Sequence, residues 1–111
     1  MISKRVGISP KKIVEVINSS SGRSWSSQYK FPTFVLNNAF NSGFTLNLMN
    51  KDLEIATDLA RELNFPMFLG SVVQQIFKCS VIQGRGEDCH TAIVKLIEDW
   101  GGVKVRNTEG D

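Results

Sequence analysis

The chain has 111 residues, 41% of them hydrophobic and 22% charged, enough apolar material for one packed domain and too much for a disordered segment. Thirteen basic side chains against eleven acidic ones leave a net charge of +2, and their scatter along the chain argues against a nucleic-acid binder, which needs a concentrated basic face. No apolar run approaches a membrane span and the first residues lack the pattern of a signal peptide, so the default compartment is cytoplasmic.

In chain order, Met1 to Gly7 read as the last turn of a helix closed by glycine, as though the chain began inside a longer protein. Ser9-Pro10 is an N-cap followed by proline at the first helical position, and Ile13, Val14, Val16 and Ile17 supply that helix's apolar face. Ser19-Ser20-Ser21-Gly22 breaks it near Asn18. Ser24 then caps a short helix reaching Tyr29 that carries Trp25 into the core, and Pro32 starts a separate turn through Phe34, Val35 and Leu36. Asn37-Asn38 and Asn41-Ser42-Gly43 form a polar, turn-rich loop.

A long helix follows from Thr45 to Leu63, stopped by Asn64 and Pro66. Its Leu46, Met49, Leu53, Ala56, Ala60 and Leu63 are spaced 3, 4, 3, 4 and 3, one continuous seam for a core. Asp52 lies on the flank of Leu48, Ile55 and Leu59, which implies a partly desolvated carboxylate in need of a donor. A fourth helix, Leu69 to Gln83, buries Val72, Val73, Ile76, Phe77 and Val81 and closes on Gly84-Arg85-Gly86. Asp88 caps a last helix bearing Ala92, Ile93, Leu96, Ile97 and Trp100, and residues 101–111 read as a loose tail. No strand-like alternation of useful length occurs. The expected architecture is all-α, a compact bundle of four to five helices in a single domain spanning residues 1–111.

Cys79, Cys89 and His90 are too few for a four-ligand zinc site, so no metal site is expected and the thiols read as reduced. Adjacent helical residues point about 100° apart, which argues against Cys89 and His90 as a nucleophile–base dyad.

Several segments, in order, resemble the C-terminal domain of the 3-hydroxyisobutyrate dehydrogenase (β-hydroxyacid dehydrogenase) family. They are Gly7-Ile8-Ser9-Pro10; Asn18-Ser19-Ser20-Ser21-Gly22-Arg23-Ser24-Trp25; Phe40 to Phe44; Lys51-Asp52-Leu53 with Ala56, Ala60 and Leu63; Pro66; and Gly84-Arg85-Gly86 with Asp88. The resemblance covers about Val6 to Trp100 and implies the all-α C-terminal domain of a 6-phosphogluconate dehydrogenase-like enzyme. There, a Rossmann domain binds NAD or NADP, the helical domain closes over it, and a 3-hydroxyacid is interconverted with its semialdehyde or keto form by hydride transfer.

This chain has neither a Gly-x-Gly-x-x-Gly after a strand nor the family's Gly-x-x-Gly-x-Gly-x-x-x-Lys run, whose lysine is the general acid/base. By the resemblance the catalytic lysine lies upstream, no catalytic residue is present, and the chain alone is inactive. The resemblance makes Lys51 and Phe44 cofactor contacts, Phe44 as an aromatic wall at the mouth of the site, and Asp52 a residue beside the substrate. Read from the residues alone, the same three are a solvated helix lysine, core packing at a helix entry, and a carboxylate near the positive helix end. Small hydroxyacid substrates and a homo-oligomer are the implied partners. The alternative is a stand-alone or vestigial helical module that dimerises or binds a partner without catalysis.

Overall fold

The computed structural model describes residues 1–106. It is all-α, with no strand among the described residues, as expected. The chain divides into two compact units, one comprising residues 1–41 and 94 onward, the other Ser42–Ile93.

The first unit opens with α1 (Ile2–Arg5), which Gly7 ends at φ 89°. The Gly7 N–H donates to Lys4 O at 3.1 Å and the Ile8 N–H to Ser3 O at 2.9 Å, the paired closure that a left-handed residue allows. α2 (Pro10–Asn18) begins as expected: the Ser9 hydroxyl accepts from the Lys12 N–H at 3.1 Å and proline takes the first position. The next two expected pieces prove to be one π-helix, Ser26–Val35, with Pro32 inside it. Proline has no N–H and crowds the carbonyl four residues back, and the wider turn relieves that crowding. Ser24 caps this stretch by accepting from the Ser27 N–H at 3.1 Å. Trp25, however, is exposed rather than in the core, and stacks on Tyr29 at 4.7 Å, which meets Phe34 edge-on at 5.6 Å.

Val35, Val94 and Val105 form the unit's core, with Met1, Phe31 and Phe40 packed against them. α5 (Ile93–Gly101) supplies Val94 to it and buries Leu96 as well. It does not start on Asp88 as expected: a 3₁₀ turn, His90–Ala92, precedes it, Cys89 stands at the cap position, and no side chain caps that turn.

Residues 102–106 fold back on α5, against the expectation of a loose tail from 101, and residues 107–111 lie outside the described residues. The cause is Glu98, only 3% exposed. Its carboxylate accepts from the Val105 N–H at 2.7 Å and from the Arg106 guanidinium at 2.8 Å. A buried carboxylate is tolerated only when its oxygens are filled in this way. Arg106→Ala is therefore expected to cost about 2 kcal/mol in urea or thermal unfolding, since it strips the charged donor from a buried acid. Breaking the surface pair between Lys12 and Glu15, 3.7 Å apart and largely exposed, with Lys12→Ala should change stability by less than about 0.5 kcal/mol.

The second unit is built on α3 (Leu46–Glu62) and α4 (Phe68–Ser80). Asn64 ends α3 in the left-handed region at φ 53°, letting the Phe65 N–H reach Ala60 O at 2.8 Å. Leu46 and Ala60 are buried, yet Ala56 and Leu63 of the same seam are exposed, so the seam is covered only in part. The two helices are keyed by a polar contact: buried Gln74 donates to the Asn50 side-chain oxygen at 3.3 Å. α4 runs into a π turn, Val81–Arg85, where Gly84 reverses the backbone at φ 86°. Among the described residues no helix is long and apolar enough to cross a membrane, and no group of acidic, histidine or cysteine side chains is placed to hold a metal.

Candidate functional site

The candidate residues gather where the loop ahead of α3 meets the segment after α4. Gly43 takes φ 84°, a turn that only glycine makes without strain, and Phe44 follows. Thr45 is the N-cap of α3, accepting from the Leu48 N–H at 3.2 Å. The helix's remaining early donors also have acceptors: Leu46 N–H to Asp88 O at 2.9 Å, Asn47 N–H to Gly86 O at 2.9 Å, and Met49 N–H to Thr45 O at 3.0 Å. The positive end of α3 is thus occupied by main-chain carbonyls and offers no cradle for a phosphate.

Phe44 is held at every polar backbone atom. Its N–H donates to the Ser42 hydroxyl at 3.3 Å, and its carbonyl accepts the His90 N–H at 2.7 Å. The His90 ring Nδ1 lies 3.1 Å from that same carbonyl and 3.1 Å from Ser42 Oγ. The Phe44 and His90 rings meet edge to face, 5.4 Å between centroids at 85°. From sequence Ser42 reads only as part of a turn, His90 is set aside as a metal ligand and as a base for Cys89, and Thr91 is not singled out. The only signal was a polar Cys-His-Thr run directly before an apolar helix, which reads equally well as a solvent-facing cap.

Cys89 belongs to this cluster. Its Sγ lies 2.9 Å from Ser42 Oγ and 3.0 Å from Thr91 Oγ1, but 4.0 Å from His90 Nδ1. The histidine ring is engaged with Phe44 and Ser42 and is not placed as a base for the thiol. Burial opposes ionisation of Cys89, but hydrogen bonds from Ser42 and Thr91 outweigh it and hold the thiol below the ordinary cysteine range. Because its acid form gives way at lower pH, alkylation of Cys89 by iodoacetamide, followed by peptide mass spectrometry, should reach half its plateau rate at a lower pH than a free cysteine peptide. Ser42→Ala should move that midpoint upward.

Lys51 and Asp52 stand on the second turn of α3, and both are exposed. The exposure of Asp52 corrects the expectation of a partly desolvated carboxylate: Ile55 and Leu59 on its flank are themselves more than half exposed, so they exclude no water from it. Neither the Lys51 nor the Asp52 side chain has an ion pair or hydrogen bond among the described residues. Being adjacent, they point to different sides of the helix. The structure thus brings Phe44, Ser42, Cys89 and His90 together and sets Lys51 and Asp52 on the helix that starts from them.

The family described as "NAD-binding of NADP-dependent 3-hydroxyisobutyrate dehydrogenase" matches residues 1–97. This chain belongs to that family. It is similar to 2-(hydroxymethyl)glutarate dehydrogenase of Eubacterium barkeri, 31% identical over 95% of this chain and 35% of that enzyme. It is also similar to the mitochondrial 3-hydroxyisobutyrate dehydrogenase of Rattus norvegicus, 32% identical over 86% of this chain and 30% of that one. Among solved structures, 3-hydroxyisobutyrate dehydrogenase of Mycobacterium tuberculosis with L-serine superposes with a TM-score of 0.72 at 27% identity, over 86% of this chain and 35% of that one. The Salmonella typhimurium enzyme shares the fold, with a TM-score of 0.77 at 23% identity over 86% of this chain and 33% of that one. The chain therefore spans about a third of the length of these dehydrogenase relatives.

Proposed function

We propose that this chain is the helical, cofactor-contacting domain of an NAD(P)-dependent dehydrogenase that interconverts a 3-hydroxyacid and its semialdehyde or keto form. The observation that carries the reading is the family match over residues 1–97, which includes an exposed, unpaired Lys51 on the helix that starts beside a firmly held Phe44.

The residues present fit one contact to a dinucleotide rather than its whole site. With the early amides of α3 already satisfied, attraction for a phosphate or ribose oxygen falls to the Lys51 ammonium, a flexible point charge. A bound NAD or NADP supplies the hydride acceptor or donor. Phe44 would stand against the ligand as an apolar wall that keeps water from the transfer. Asp52, hydrated and without an internal partner, would accept a hydrogen bond from a hydroxyl of substrate or cofactor. Proton transfer would fall to a lysine outside these residues, so the chain alone should not turn over substrate.

In the complete dehydrogenase, Lys51→Ala should raise the KM for the dinucleotide or lower kcat by about tenfold, the weight of one charge-assisted contact. The melting temperature should scarcely move, since Lys51 is exposed and its side chain has no ion pair or hydrogen bond among the described residues. Unchanged kinetics would return Lys51 to the solvated surface.

The second reading, a helical module that dimerises or binds a partner without catalysis, draws on the apolar surface of the second unit. Leu63, Phe65, Phe68, Leu69 and Val72, on and between α3 and α4, are all more than half exposed, apolar surface of the kind that association covers. Both readings make the chain self-associate. Static light scattering is expected to show a mass above that of one 12.4 kDa chain, and a clean monomer at high concentration would remove that expectation.

A further inference from the structure

We propose that His90 is a positioning residue for the dinucleotide-facing wall, setting Phe44 in place through its ring Nδ1–H. The inference rests on the reading of Phe44 as part of that wall.

The Phe44 carbonyl can only accept, and it already receives the His90 main-chain N–H at 2.7 Å. An unprotonated Nδ1 at 3.1 Å from the same oxygen would set two lone pairs against each other. The geometry therefore assigns the proton to Nδ1, which donates to Phe44 O with Ser42 Oγ as a second acceptor at 3.1 Å. The Ser42 hydroxyl proton is then free for Cys89 Sγ at 2.9 Å. One residue grips Phe44 three times, by main chain, by ring nitrogen and by the edge-to-face ring contact at 5.4 Å.

His90 is itself buried at 8% exposure, with Thr91 and Ala92 beside it also buried. Its ring has no freedom to follow a mobile Phe44; it fixes the partner instead. A wall residue excludes water only if its ring is held by groups that are locked themselves. His90, buried and bonded through its main chain as well as its ring, meets that condition.

The first test needs no variant. In the 15N-labelled 111-residue chain, the nitrogen shifts of the neutral His90 ring should report the proton on Nδ1, and a proton on Nε2 alone would overturn the proposal. The second compares His90→Phe, which keeps an aromatic ring but loses the donor, with His90→Asn, whose Nδ2 occupies the place of Nδ1. In the chain, His90→Phe should average the Phe44 ring and amide shifts toward those of a mobile residue, while His90→Asn should restore them. In the complete dehydrogenase, His90→Phe should raise the cofactor KM by roughly fivefold, about the weight of one ordering hydrogen bond, and His90→Asn should recover most of it. Phe44 shifts and KM unmoved in a folded His90→Phe would overturn the proposal even with Lys51→Ala impaired. Unmoved kinetics in Lys51→Ala would instead remove the functional reading, leaving the ring measurements to decide how Phe44 is held.

Discussion

The hydrogen bonding of residues 44–47 to residues 86–90 is the constraint on which the candidate site depends. A helix entering a fold carries amides that its own turns cannot satisfy, and α3 meets that need with the carbonyls of Gly86 and Asp88 and the hydroxyl of Thr45. The same pairing lets the His90 N–H close on Phe44 O. Capping the helix and fixing the loop that carries Phe44 are thus one event. Because the capping groups are neutral carbonyls, the start of α3 is spent on structure, and any charge offered to a ligand must come from a side chain farther along, which is where Lys51 stands.

What could be read in advance was what is local. Ser9, Thr45, Gly7 and Asn64 announce helix ends because a hydroxyl or a left-handed residue acts on amides within a few positions. The limits of α2 and α3 accordingly match the pattern. Asp88 shows where this fails: an acidic residue before an apolar run has the look of a cap, yet its carbonyl serves α3 and the helix starts later, through the 3₁₀ turn at His90.

Burial was less legible, because a stripe of apolar residues tells only that a face favours cover, not that cover is present. Ala56 and Leu63 continue the seam of Leu46 and Ala60 but remain exposed, and Asp52 beside them keeps its water. Trp25 was misplaced for a related reason. Its large ring suggests a core, whereas stacking on Tyr29 at the surface satisfies much of the same tendency. The cluster around Phe44 was invisible because its members come from positions 42–44 and 89–91, and only the fold brings two such short polar runs into contact.

The Glu98 carboxylate has a bearing on where this domain can be trimmed. The match to the family ends at residue 97, one position before the acid whose oxygens gather the Val105 and Arg106 donors. A boundary drawn from shared sequence would discard the acid with its partners and leave the pocket of Val35 and Val94 open to water. A boundary a few residues later, after Glu98 but before Val105, would do worse, keeping the buried acid and removing both of its donors. The smallest piece that keeps this unit whole runs at least through Arg106, a limit written in hydrogen bonds rather than in kinship.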